Sequence, residues 1–333
     1  MDKREHTVPH IFFSSTLVAP FIEEDEVILA DHYDLEKIIA RGVRALGLIP
    51  GAVARNDITF SWFGSVYAGY TVFLARLMGK KSIVVVGGVD AARDREINYG
   101  IWLNPWKSVF VRYAYRKADR VLVVDPFLMN EVKRLAGYDG ANITTVPTGY
   151  DGERWKPGHA KEKMVLTVAS CEDKWRMKKK GIDKLFDAAR VLPDVRFSVI
   201  GIHQALMKEI KHLAPPNVEI ISYVPRDELL PHYQKAKVYC QPSYTEGLPN
   251  SLCEAMLCGC IPVGTIAGGI PTAIGHTGYV VPYNDQDGLV RVLREALEAP
   301  SSHGLHSRER ILQEFTVKRR EDHLCSIIES LVR

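Results

Sequence analysis

Short runs of β-branched and aromatic residues alternate along this chain with stretches whose apolar positions recur at helical spacing. The first half reads HIFFSST, DITFSWF, VYAGYTVFLARLMG, KSIVVVGG, WKSVFVRYAYRKA, RVLVVD, LMNEVKRLAG and NITTVP in order. Strand then helix, repeated, predicts a parallel sheet, and strands written as continuous apolar runs fit burial on both faces under crossover helices. Residues 151–163, DGERWKPGHAKEK, are polar, carry glycine and proline and lack an apolar period, which predicts a linker. A second set follows: MVLTVAS, GIDKLFDAARVL, VRFSVIG, VEIIS, DELLPHYQKA, VYCQPS, NSLCEAMLCG and IPVGT. The predicted class is α/β, with two Rossmann-like, doubly wound parallel-sheet domains, 1–152 and 153–316, facing across a cleft. The helical stretch 317–333 is a candidate to complete the first domain.

A chain of 333 residues, 46% hydrophobic and 25% charged, is long enough for two such cores. Its net charge is +3, and residues 1–152 hold 18 basic and 18 acidic side chains, so neither half offers a nucleic-acid arm. No stretch approaches the roughly 20 apolar residues of a membrane span, and the start, MDKREHTVPH, is charged, so the expected location is cytoplasmic. Cys240, Cys253, Cys258 and Cys260 fall within 21 residues, but Cys258-Gly-Cys260 lacks the gap of structural zinc ligation. They are expected to pack as small core residues, with no metal bound.

The most informative stretch is Tyr239–Gly264, YCQPSYTEGLPNSLCEAMLCGCIPVG. A buried strand ends by Ser243, a loop carries Glu246, Gly247, Leu248, Pro249 and Asn250, and a helix begins with Asn250 or Ser251 as its expected cap. A helix start presents unpaired N–H groups and partial positive charge, which suits a diphosphate. Glu254, placed on the first turn, is positioned to accept hydrogen bonds from two ribose hydroxyls.

These residues resemble the retaining glycosyltransferases of the large family 4 (group 1), whose signature is two glutamates separated by seven residues, here Glu246 and Glu254. Ala255-Met256, Gly259, Pro262-Val263 and Gly268-Gly269 follow the same pattern, and PTGYDGERWKP resembles the family's domain junction, with Thr148 where asparagine is usual. The resemblance implies a two-lobed glycosyltransferase B fold and transfer of a sugar from a UDP-, GDP- or ADP-sugar to an acceptor hydroxyl, with anomeric retention. It places Glu246 near the donor sugar or the reacting centre, Glu254 at the ribose, and the amides of Gly247 to Asn250 at the diphosphate.

A leaving diphosphate gathers negative charge and needs cations or oriented donors. The lone Asp-x-Asp element, Asp285-Gln286-Asp287, reads as a helix cap, so lysine or arginine is expected to serve in place of a metal. Lys180 matches the family lysine before Gly181-Ile182-Asp183, whereas Ser170 stands where an arginine is usual; Arg176, Lys178 and Lys179 are the candidates to replace it. Val224 and Pro225 are candidates at the nucleobase. In the first domain, Gly87 stands where a histidine is frequent, and Asp90, after a buried strand, is a candidate to bind or orient the acceptor, against a capping role.

Trp102 to Arg120 mixes aromatic and basic residues, which fits either a helix buried against the sheet or a peripheral membrane contact with a lipid-linked acceptor; a carbohydrate acceptor is the other expectation. No Gly-x-Gly-x-x-Gly follows a strand and no phosphate-loop motif is intact, which excludes dehydrogenase and P-loop readings. Two rivals persist: a non-catalytic nucleotide-sugar-binding or scaffolding protein, and an epimerase or phosphorylase on the same scaffold.

Overall fold

The computed structural model describes residues 8–158 and 160–332. They form two compact units: one runs to Gly149 and takes in the chain from Lys318 onward, and the other is Tyr150–Val317.

In the first unit, strands β1 (His10–Ser15), β2 (Asp34–Ile39), β3 (Ile58–Trp62), β4 (Lys81–Val86), β5 (Arg120–Val123) and β6 (Ile143–Thr145) form a wholly parallel sheet in the order β2-β1-β3-β4-β5-β6. Every residue of β3 is buried, as are all but the first of β1 and β4. The edge strand β2, DLEKII, has no fully buried residue and carries two acids and a lysine. A charged edge blunts unwanted pairing, and it also hides the strand from a search for continuous apolar runs.

The C-terminal helix Val317–Val332 is fastened to this unit by a buried ion pair. The Arg320 guanidinium meets Asp25 through two bonds of 2.5 and 2.6 Å, and it donates to the carbonyls of Val146 and Pro147. Asp25 also accepts from the Trp62 indole at 2.9 Å. Both charged side chains are almost wholly buried, so the pair is tenable because bidentate geometry and the extra hydrogen bonds replace lost water.

The second unit holds β7 (Glu162–Cys171), β8 (Arg196–Ile202), β9 (Val218–Ile221), β10 (Ala236–Gln241), β11 (Ile261–Thr265) and β12 (Tyr279–Val281), again parallel, in the order β12-β11-β10-β7-β8-β9. Chain order reverses between β7 and β10. Beyond the carboxyl ends of two such strands an open α/β sheet has a crevice, because the following connections leave to opposite sides.

Two local expectations change. The polar segment 151–163 is not a bare linker: Trp155 is 1% exposed, Tyr150 pairs with Thr316, and β7 starts two residues before the apolar run. In Trp102 to Arg120, Trp102 belongs to a separate 3-10 turn, Ile101–Leu103, and the helix is Pro105–Lys117. Trp102 and Tyr115 are buried, whereas Trp106 and Phe110 are exposed, so the aromatics divide between core and surface. Of the six cysteines, five are buried free thiols, and among the described residues no group of three His, Cys, Asp or Glu could hold a metal. Asp285 caps the helix Gln286–Glu298 by accepting from the Gly288 amide at 2.8 Å. Among the described residues, no helix is long and apolar enough to cross a membrane.

Candidate functional site

The reversal point of the second sheet is where the predicted residues meet. After β10 the chain turns through Pro242 and Ser243, passes Glu246, and enters the helix Asn250–Leu257. Oε1 of Glu246 is the focus of three donors: Lys180 Nζ at 2.6 Å, Ser243 Oγ at 2.8 Å and Gln241 Nε2 at 3.1 Å. Among the described residues, Oε2 accepts no hydrogen bond, so it is the oxygen left for an incoming hydroxyl. Burial pushes the Glu246 carboxyl up, but the charges of Lys180 and Lys179 and the bonds from Lys180 and Ser243 outweigh it and hold the group below the usual glutamate range. The side chain is therefore an anion fixed in direction by one oxygen.

Two glycines allow this loop to close. Gly268 has φ +56°, and a Cβ there would lie 1.9 Å from the Glu246 carbonyl oxygen; the next amide, Gly269 N–H, donates to the Gly247 carbonyl at 2.9 Å. On the other side, a Cβ on Gly181 (φ +67°) would lie 1.8 Å from the Pro242 carbonyl oxygen, so the turn after Lys180 sits directly against the loop it serves. Gly268 and the glycine after Lys180 are thus steric requirements of the Glu246 loop.

The helix start differs from expectation. Its N-cap is Pro249, with no side-chain capping bond. Asn250 is the first helical residue, and its Oδ1 accepts from the Tyr150 hydroxyl at 2.8 Å; the Ser251 hydroxyl lies 2.8 Å from that of Tyr239. Both side chains are engaged elsewhere, so neither caps, and the amides of Asn250, Ser251 and Leu252 are left without intrahelical acceptors. An uncapped helix start preceded by Gly247, the buried Leu248 and Pro249 has the chemistry of an anion cradle.

Because the helix begins at Asn250, Glu254 falls on its second turn, not its first, and it is 3% exposed. Its Oε1 accepts from Arg226 Nε at 2.7 Å and its Oε2 from the Tyr233 hydroxyl at 3.1 Å. Arg226 lies over the ring of Trp155, whose edge meets Tyr233, so the residues of the junction motif form the floor beneath Glu254. A carboxylate offers about four lone-pair positions, and Arg226 and Tyr233 fix the direction in which this one presents them.

Of the basic candidates, Lys180 bonds directly to Glu246, whereas Arg176 pairs with Glu172. Residues 174–179 are a short helix rather than a loop, and its exposed Arg176 pairs with Glu172 at 3.5 Å. Lys179 and Lys180, at the end of this helix, are the cations whose charges act on Glu246. Burial, partly opposed by the Glu246 charge, lowers the Lys179 ammonium to about 8. Ser170 is exposed near the end of β7, where the ladder to β8 shifts register. Val224 is half-buried and Pro225 exposed, just before Arg226.

Asp90, read as either an acceptor contact or a cap, is buried among its own loops. It lies within the 3-10 turn Val89–Ala91 and is 1% exposed. Its carboxylate accepts from the amides of Gly64 (2.8 Å), Gly87 (3.1 Å) and Gly88 (2.9 Å) and from the Tyr115 hydroxyl (2.9 Å). Burial raises its pKa against the pull of those bonds. A carboxylate enclosed by four donors organises the loops around it and has no surface left for an acceptor.

Sequence reasoning missed Arg226, Tyr233, Tyr239, Gln241 and Ser243. Tyr239 and Gln241 were legible: polar residues at alternate positions, interleaved with Val238 and Cys240, in a strand otherwise written for a core, with Ser243 just beyond its end.

Residues 162–299 match the family model described as "Glycosyl transferases group 1", so this segment is a group 1 glycosyl transferase domain. A D-inositol 3-phosphate glycosyltransferase from Mycolicibacterium gilvum is 28% identical over 218 residues, 60% of this chain and 49% of that protein. The chain spans about half the length of the curated relatives it matches first. Among solved structures, sucrose-phosphate synthase from Thermosynechococcus elongatus aligns with a TM-score of 0.78 at 14% identity, covering 98% of this chain and 99% of that one. Anabaena HepE in complex with UDP aligns with a TM-score of 0.76 at 15% identity, covering 97% and 100%. The two units thus have the glycosyltransferase B type of fold.

Proposed function

We propose that this group 1 glycosyl transferase domain binds a nucleoside-diphosphate sugar and that the whole chain transfers the sugar to an acceptor hydroxyl. The observation that carries the reading is the convergence of an uncapped helix start, Lys180 and an ionised Glu246 on the reversal point of the second sheet. The amides of Asn250 to Leu252, with Lys180 and Lys179, take the diphosphate; Glu254 accepts the ribose hydroxyls; Oε2 of Glu246 accepts a hydroxyl of the donor sugar. Backbone at Val224 and Pro225, just ahead of Arg226, reads the base. The comparison protein HepE was crystallised with UDP, which favours a uridine donor.

The residues gathered here supply positive charge to the leaving diphosphate without a metal, since departure of the sugar is eased by whatever neutralises the growing charge. Anomeric retention follows the family pattern of Glu246 and Glu254. The acceptor is a carbohydrate or a lipid-linked sugar.

The test is a screen of the purified chain against uridine, guanosine and adenosine diphosphate sugars, with and without a chelator, following nucleotide release chromatographically. Release from one donor, unaffected by chelation, is expected. Binding without release across all donors and a broad acceptor set supports the non-catalytic reading instead.

A further inference from the structure

A cavity of about 840 Å³ opens on the first unit, and none of its lining residues belongs to the constellation around Glu246. Five arginines line it, Arg93, Arg95, Arg112, Arg116 and Arg134, and among the described residues no acidic side chain and no lysine does. Lysines are close in sequence at 107, 117 and 133, yet none faces this space. Arginine alone is what planar, forked recognition of phosphate calls for.

The guanidinium groups are arranged by the fold rather than scattered. Arg112 stacks on the buried Trp102 ring at 5.4 Å and donates to the Leu135 carbonyl at 3.5 Å. Arg116 lies one turn further along the same helix, so two like charges share a face, which costs stability unless an anion relieves it. Arg134 is oriented by Glu131. Arg93 and Arg95 flank Asp94, whose carboxylate accepts from the amides of Glu96 (2.9 Å) and Ile97 (3.1 Å) while its backbone pairs with Tyr99. The carbonyl of Asp90 anchors the same loop by accepting from the indole of Trp102 at 2.7 Å and the hydroxyl of Tyr115 at 3.0 Å. Among the described residues, Arg93, Arg95 and Arg116 make no ion pair. Apart from Arg134, which Glu131 partners, the cavity therefore has concentrated positive charge over an apolar wall of Trp102 and Leu135, and such a concavity focuses its field on anions.

We propose that this cavity is a binding site for a phosphomonoester or phosphodiester group, held by the guanidinium groups of Arg93, Arg95, Arg112 and Arg116. It lies in a different unit from the donor residues and stands independently of the donor reading. Val109 at the rim and the neighbouring Trp106 are both exposed, so the phosphate has two possible carriers: a small soluble molecule, or a lipid whose chains meet these side chains.

The experiment compares the wild-type chain with an R93Q/R95Q/R116Q variant, measuring calorimetric binding of glycerol 3-phosphate and co-sedimentation with phosphatidylcholine vesicles with and without phosphatidic acid. Phosphate bound on the second unit is common to both proteins and cancels in the comparison. The expected result is a loss of about tenfold or more in affinity on removing the forked contacts, with an unchanged melting temperature. Loss seen with glycerol 3-phosphate identifies a soluble carrier; loss seen only with phosphatidic acid vesicles identifies a lipid. Should the triple glutamine variant fail to fold, R93K/R95K/R116K retains the charge and removes the fork, and weakened binding is again expected. Binding of neither probe by the wild type, or equal binding by folded variants, overturns the proposal.

Discussion

The Lys180 ammonium lies 2.6 Å from Oε1 of Glu246, both side chains largely shielded from water, and the pair joins the turn after the helix Lys174–Lys179 to the loop after β10. A lysine paired in this way is already held where the diphosphate is expected. Lys180→Ala should weaken nucleoside diphosphate binding by about tenfold or more, the worth of one charge-assisted bond. It should also raise the Glu246 carboxyl toward its ordinary range, because the pair is a main cause of its depression. Calorimetry and a carbon-detected titration of the carboxyl check the two effects.

Glu254 needs a different design. A carboxylate so buried, bonded to Arg226 and Tyr233, cannot be deleted without leaving an arginine unpaired, so Glu254→Ala should cost stability as well as affinity. A double-mutant cycle with Glu254→Gln and Arg226→Gln separates the two. The stability losses should be strongly non-additive, with a coupling of about 1–3 kcal/mol, while both Glu254 variants lose nucleotide affinity whether or not Arg226 is present. Additive stability losses would show that the pair is incidental.

Lys179 gives the site its pH dependence. Its ammonium titrates at about 8 because burial disfavours the charge. A bound diphosphate favours the charged form, so the complex holds more protons than the free protein, and affinity should fall as pH rises through about 8. Titrations in buffers of different ionisation enthalpy should show uptake of a fraction of a proton at that pH. Lys179→Met should abolish the uptake.

Much of this was readable in the chain. The spacing of Glu246, Glu254 and Gly268-Gly269 pointed to the site, and coordinates add the cause: Gly268 is pressed against the Glu246 carbonyl. The helix cap was misread because Asn250 and Ser251 are good capping types, and only tertiary structure shows Tyr150 and Tyr239 claiming their side chains. For Asp90 the sequence left an acceptor contact and a capping role open; its four donors are three glycine amides and a tyrosine, of which only Gly87 and Gly88 are close in sequence. Arg226 stood next to the residues chosen for the base, but its pairing with Glu254 joins positions 28 apart.

In the first unit, Asp25→Ala should destabilise the chain by about 3–5 kcal/mol, because it leaves Arg320 buried without its counter-charge. Urea denaturation followed by tryptophan fluorescence is a direct readout, since the Trp62 indole donates to Asp25. Nucleotide binding, assigned to the second unit, should persist below the denaturation midpoint.

The central claim is that the amides opening the helix Asn250–Leu257 grip the diphosphate of an activated sugar. Nitrogen-15 amide spectra of the chain, recorded while UDP and then UDP-sugar are added, measure this directly. Large, saturable downfield shifts of the Asn250, Ser251 and Leu252 amides are predicted, with Glu246→Gln retaining them and Lys180→Ala weakening the affinity. Saturable nucleotide binding that leaves those three amides unmoved would contradict the account.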